Sequence, residues 1–235
     1  MDHLISKYNE LFTVIYEKRE KFPEQDLCCF VHAKGEKYNG ELMIVGRAVN
    51  GWGNQFNKNS IDNNSLIVNI QNDIDSEDLK WVKDLWGPNE KYNTKKSAFW
   101  RTSKSLASVL TTGSVFETDS IVWNNLYKIS KAPKGNPSSR LRDIQSNICQ
   151  DLFIEEIRLC NPKIIVLLTG YGWAKPFLSK FTQLPLIGNN KFIEFVGFFE
   201  NSFIVVGQHP QGKSEQDQIK EIIDICNLND KLTVR

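Results

Sequence analysis

Between residues 3 and 19 the apolar side chains Leu4, Tyr8, Leu11, Phe12 and Ile15 recur at three- and four-residue spacing, which predicts an amphipathic helix covering one face of a sheet. Residues 41–45 form a short apolar run that ends at Gly46, and residues 47–53 carry turn formers and Trp52, so a buried strand is expected to feed a loop. From Asn54 to Asn93 the chain is rich in Asn and Asp. Short helices are expected there around 66–70 and 77–86, with no strong strand, and the segment reads as an irregular insertion.

Residues 97–111 repeat apolar side chains at Phe99, Leu106 and Leu110 in helical register, whereas residues 120–123 are strand-like and are expected to stop at Asn124 and Asn125. Lys128, Lys131, Lys134, Arg140 and Arg142 follow with no acidic residue among them, and Pro133, Gly135 and Pro137 break regular structure, so this stretch reads as a basic loop. A long helix is predicted over 140–160, with Ile144, Ile148, Leu152, Ile157 and Leu159 apolar, closed by Asn161 and Pro162. The nearly continuous Ile, Val and Leu run at 163–169 has the composition of a strand buried on both faces. Gly170, Tyr171 and Gly172 turn into another helix toward Phe181, residues 192–196 and 203–206 are two more strands, and Ser214 with Asp217 begins a last helix. Alternating buried strands and helices predict a doubly wound α/β fold with a mostly parallel sheet, in which binding takes place beyond the carboxyl ends of the strands.

Composition narrows the possibilities. A chain of 235 residues, 40% hydrophobic, is expected to form one large domain over 1–235. With 29 basic against 28 acidic residues the net charge is +1, so no global field draws it to nucleic acid and any polyanion site is a local patch. No basic segment leads into an apolar run at the N-terminus and no apolar stretch reaches membrane-spanning length, which predicts a soluble, cytoplasmic protein without a membrane partner. Cys28, Cys29, Cys149, Cys160 and Cys226 lack the paired spacing of a zinc or iron-sulfur site and read as reduced structural thiols, and no metal is expected.

The richest motif is the stretch from Phe203 to Ser214. As Gly207-x-x-x-x-Gly212-Lys213-Ser214 it satisfies the fixed positions of a phosphate-cradling loop, which would make the protein a P-loop phosphohydrolase. Only about twenty residues follow, however, and the magnesium-binding strand such enzymes place later has no room. As His209-Pro210-x-x-x-Ser214 the same stretch puts an imidazole at the mouth of a sheet, just before a helix N-terminus. Four strand ends, at 46–52, 124–125, 169–173 and His209, are expected to converge there.

The order of the segments IVGRAVNGW, IVWNNLYKIS, NPKIIVLLTGYGW and VVGQHPQGKS, over residues 41–226, resembles that of the uracil-DNA glycosylase superfamily. The resemblance implies a three-layer α/β/α sandwich, hydrolysis of the bond joining uracil or a related damaged base to deoxyribose, a role in DNA repair, and chemistry without a cofactor. It gives His209 the part of hydrogen-bond donor to the departing base, and Asn124 that of reading the base edge, although an Asn at a strand end also serves as a turn former. Gly212, Lys213 and Ser214 would hold a phosphate. Gly46 and Arg47 would line the base pocket, where Trp52 and Phe56 stack on the base or belong to the core.

The family places Asp or Asn two residues after the loop Gly to position or activate water. Here that position is Ala48, and Asn50 is the nearest substitute. Gly212 and Lys213 also offer no apolar wedge to support base flipping from a duplex. The expected partner is therefore single- or double-stranded DNA or a nucleobase, bound by a monomer that either hydrolyses the base or has kept the pocket without the reaction.

Overall fold

The apolar stripe at the N-terminus becomes α1 (Asp2–Glu17), with Leu4, Tyr8, Leu11, Phe12 and Ile15 all buried. A 16-residue helix is marginal alone, and five buried side chains at about 1.5–3 kcal/mol each supply the stabilisation it lacks. In this computed structural model, which describes residues 2–51, 53–75, 79–88, 93–112, 117–186 and 188–233, the chain continues through β1 (Asp26–Cys29), β2 (Ala33–Lys34), β3 (Leu42–Ala48), β4 (Asn54–Asn57), α2 (Asn63–Asp75), α3 (Lys80–Asp84) and α4 (Ala98–Leu110). It then forms β5 (Ile121–Tyr127), β6 (Ile129–Lys131), α5 (Ser139–Cys160), β7 (Ile164–Leu168), α6 (Tyr171–Ala174), β8 (Thr182–Leu184), β9 (Ile193–Phe199), β10 (Ser202–Gly207) and α7 (Glu215–Thr233). Contacts divide the chain into two compact units, the first made of Met1–Ala33, Gly46–Ser76 and Asn124–Cys160, the second of Lys34–Val45, Glu77–Trp123 and Asn161–Arg235.

In the first unit α1 packs chiefly on α5 and α2. A three-stranded antiparallel sheet, ordered β4-β1-β6, pairs Cys28 with Gln55 on one side and Ser130 on the other. β4 forms within the segment expected to lack strands: its sequence Asn-Gln-Phe-Asn has little strand preference of its own, and pairing with β1 supplies what propensity does not. The Phe56 ring on β4 meets Phe12 of α1 edge-on at 5.8 Å. Along α5 the buried positions include Leu141, Ile148, Leu152, Phe153 and Ile157, and two polar residues, Gln145 and Glu156, sit on the same buried stripe.

The seven-stranded sheet has the order β2-β5-β3-β7-β10-β9-β8. It is mixed: β3 and β10 both run parallel to β7, and β10, β9 and β8 are antiparallel in turn. The antiparallel edge follows from the short Glu200–Asn201 turn between β9 and β10, too short for a parallel crossover. In the second unit Val45, Leu167 and Val206 form one row across the three parallel strands, so these strands share a carboxyl edge. In the same unit α4 and α7 pack together, and Trp81, Trp100 and Trp123 form an edge-on cluster with centroids 5.0–5.9 Å apart.

Two predicted boundaries move. β5 does not stop at Asn124 but runs through to Tyr127 with every residue buried, and the Asn124 side chain within it is bonded inside the protein to Glu156 and Lys128. The basic loop shrinks at both ends, since Lys128 is fully buried, Ile129–Lys131 form β6, and Arg140 and Arg142 lie on α5.

Candidate functional site

β10 delivers the chain to His209 at the carboxyl edge of the second unit's sheet. The Nδ1 of His209 accepts a hydrogen bond from the Gln211 amide at 3.3 Å, and an imidazole nitrogen that accepts carries no proton, so in the neutral ring the proton is on Nε2. The loop around it is fastened from several sides. Gln208 donates its amide to the Phe192 carbonyl at 2.9 Å, Lys213 donates to Pro210 at 3.0 Å, and the buried Gln218 of α7 donates its side-chain Nε2 to the Gln208 carbonyl at 2.5 Å. Beside it the turn after β7 is tied to β10 through the Gly170 amide and the Gly207 carbonyl, 2.9 Å apart.

These bonds decide against the P-loop reading. A phosphate cradle turns successive amides on its anion, whereas here the amides of Gln208, Gln211 and Lys213 are spent within the protein. The first turn of α7 also carries Glu215 and Asp217, which occupy the positive end of the helix dipole. Glu215 is paired with Arg101 of α4, whose Nε donates at 2.9 Å. Gly212, Lys213 and Ser214 are exposed, so what Lys213 offers a phosphate is its ammonium.

The loop after β3 belongs to the first unit. Gly46 is buried, Arg47 and Ala48 are half-buried, Asn50 is exposed, and Trp52 lies outside the described residues. Asn50 accepts the Gly135 amide through Oδ1 at 2.6 Å. Close by, Gly51 has φ +79°, and a Cβ there would sit 1.4 Å from the Pro133 carbonyl oxygen. Two loops therefore meet backbone to backbone, with Asn50 as the clasp. Asn50, a neutral amide with its oxygen already bonded to Gly135, can hold a water molecule but cannot take its proton, and the methyl of Ala48 can do neither. Phe56, half-buried against Phe12, is spent on the packing of α1.

Asn124 lies inside a buried polar cluster of the first unit. Its Nδ2 donates to Glu156 Oε2 at 3.0 Å, and its Oδ1 accepts from Lys128 Nζ at 2.6 Å and from the Asn125 amide at 2.7 Å. The Lys128 ammonium is 2.5 Å from Glu156 Oε2, both side chains fully buried. The Tyr8 hydroxyl donates to Glu156 Oε1 at 2.8 Å, and His32 Nδ1 is 3.5 Å from the same oxygen, close for an ion pair and long for a hydrogen bond. Burial raises the carboxyl pKa of Glu156, but the Lys128 charge and the contact with His32 outweigh it and bring it to about 2. Burial likewise lowers that of His32, and contact with Cys160 and Glu156 reverses the effect, raising it to about 9.

Successive side chains of a strand point to opposite faces, so Asn125 points away from this cluster. It is 2% exposed and its Nδ2 has no hydrogen-bond partner. The sequence offers Asn124 as a base reader or a turn former, and strand alternation separates it from Asn125 once Asn124 is seen to face α5.

All five cysteines are free thiols, and burial pushes Cys28 up to about 11 and Cys149 to about 12, which leaves both poor nucleophiles. Among the described residues no group of three or more His, Cys, Asp or Glu is placed to hold a metal ion, and no helix is long and apolar enough to cross a membrane.

A family model described as the Uracil DNA glycosylase superfamily matches residues 86–228, more than half of the chain. The match takes in β5, β7 and the His209 loop and begins after the Gly46 loop. No curated protein matches the chain. With an α/β fold, a mixed central sheet and a family match of this extent, the chain belongs to the uracil DNA glycosylase superfamily.

Proposed function

We propose that the protein hydrolyses the N-glycosidic bond of uracil or a related damaged base in DNA, with His209 as the donor that stabilises the departing base. The observation that carries this reading is the hydrogen bond from the Gln211 amide to His209 Nδ1, which makes Nε2–H a donor without requiring a charged ring. As the glycosidic bond breaks, negative charge gathers on the base carbonyl oxygens, and a fixed donor there is worth more in the transition state than in the ground state. In the first unit, the buried Asn125 Nδ2, which has no hydrogen-bond partner, is a donor suited to a base carbonyl oxygen. The exposed Lys131, Lys134, Arg140 and Lys213 supply cations for the DNA backbone.

A second reading is favoured by the loop after β3. Ala48 cannot activate water and Asn50, a neutral amide, cannot take its proton, which suits a module that binds a nucleobase in DNA without cleaving it. Incubation with single-stranded and duplex oligonucleotides bearing one uracil, followed by assay for abasic sites, separates the two. Cleavage that falls about 10²–10³-fold in His209→Ala supports the hydrolase. Uracil-dependent binding with no abasic product supports the module, and cleavage untouched by His209→Ala removes His209 from the reaction.

A further inference from the structure

The cluster around Glu156 has no part in the reading above, yet its bonds end on the backbone of Asn125. The Asn125 amide donates to Asn124 Oδ1 at 2.7 Å, and the Asn125 carbonyl accepts from Lys128 Nζ at 2.7 Å. Both polar groups of this residue's main chain are thus held by side chains, and both of those side chains are held by Glu156 Oε2 of α5. Fixing the amide and the carbonyl fixes φ and ψ of Asn125, and with them the direction of its Cβ and carboxamide.

We propose that Glu156, acting through Lys128 and Asn124, is a positioning residue that aims the Asn125 carboxamide at a carbonyl oxygen of a nucleobase. The inference rests on the glycosylase-type reading and adds to it the device that makes base recognition selective. Two considerations support it. A buried ion pair is often no more stabilising than apolar residues of the same size, so its presence calls for another use. An unmade buried N–H is costly, and the Asn125 Nδ2 is a donor whose natural complement is an uncharged carbonyl. The clamp lies on one face of β5 and the carboxamide on the other, so the ion pair sets the recognition group without touching the ligand.

The test compares binding of two single-stranded oligonucleotides, one carrying a hydrolysis-resistant 2′-fluoro-deoxyuridine and the other a tetrahydrofuran abasic analogue at the same position. Wild-type protein is expected to prefer the base by about tenfold and Asn125→Ala to lose that preference. The double variant Lys128→Met/Glu156→Met replaces the ion pair with apolar groups of similar size and is expected to stay folded, to lose the preference, and to shift or broaden the Asn125 side-chain amide resonances. Asn124→Ala leaves the ion pair in place, removes the acceptor of the Asn125 amide, and is expected to give the same loss by a second route. Either variant, folded and with wild-type preference and wild-type Asn125 resonances, overturns the clamp. Wild-type protein that binds both oligonucleotides equally overturns base recognition by Asn125, even where the variants still displace its resonances, so the two failures are told apart.

Discussion

Replacing Glu156 with Gln keeps the size of the side chain and removes its charge. The carboxylate is fully buried and is met by Lys128 at 2.5 Å, Tyr8 at 2.8 Å, Asn124 at 3.0 Å and His32 at 3.5 Å. Gln retains one carbonyl oxygen, so of these donors at most two keep a good acceptor, and the Lys128 ammonium is left in the interior without a counterion. Breaking a buried pair from one side costs about 3–5 kcal/mol. With a urea dependence of about 2–3 kcal/mol per molar for a chain of this size, the unfolding midpoint is expected to fall by about 1–2.5 M. The companion Lys128→Met/Glu156→Met is expected to return part of that loss, because it removes both charges of the pair together while Tyr8, Asn124 and His32 still lose their acceptor. Urea titration followed by circular dichroism measures both variants. A Glu156→Gln midpoint within about 0.3 M of wild type would refute the premise that Lys128 depends on this carboxylate.

Other consequences follow from the same geometry. Glu156 has a depressed pKa, so its contribution is in place above the ordinary carboxylate range near 4.5 and fades as the pH drops toward about 2; His32 has a raised one, so its contribution is in place below 6.5 and fades as the pH climbs through about 9. Stability measured against pH should fall at both ends, and His32→Gln should flatten the alkaline limb and, because His32 helps to depress the Glu156 pKa, soften the acid limb as well. Gly51→Ala places a methyl group where the Pro133 carbonyl stands, so the two loops must part, and hydrogen exchange at the Gly135 amide should quicken by at least tenfold, whereas unchanged protection would show that the approach is not rigid. Lys131→Ala with Lys134→Ala should lower the slope of log affinity for single-stranded DNA against log salt by about 1.4, and an unchanged slope would take those lysines off the DNA path. Lys213→Ala should leave no magnesium-dependent nucleotide turnover to lose, and turnover that the substitution abolished would restore the phosphohydrolase reading.

Much of the fold was legible because burial leaves a periodic trace. The stripe from Leu4 to Ile15 gave α1 its buried face residue for residue, and the Ile, Val and Leu run at 164–168 is β7. β1 and β4 left no such trace, since their pairing is with each other and with β6 across long sequence separations. Lys128 was misread for a physical reason: a lysine among prolines, glycines and other cations carries the composition of a solvated loop, and only a carboxylate 28 residues away makes its burial affordable. The trace of that carboxylate was present. Glu156 stands four residues after Leu152 on the buried stripe of α5, and Gln145 stands four before Cys149, so two polar residues occupy places the helical period reserves for apolar ones. Gln145 takes the Ile129 amide at 2.9 Å and donates to the Ile129 carbonyl at 2.8 Å, satisfying the main chain one residue beyond Lys128. A polar residue in an apolar register was the sign that α5 carries hydrogen-bonding work as well as packing.

The segment from Gln208 to Ser214 closes its own bonds, to Phe192, to Pro210, to the His209 ring and to Gln218. Its conformation is therefore settled before any guest arrives, and little ordering entropy remains to be lost on association. On the proposed reading, selectivity at His209 comes from the rejection of molecules that do not match a rigid template, and substitutions at Gln218 should blur that discrimination well before they loosen the chain as a whole.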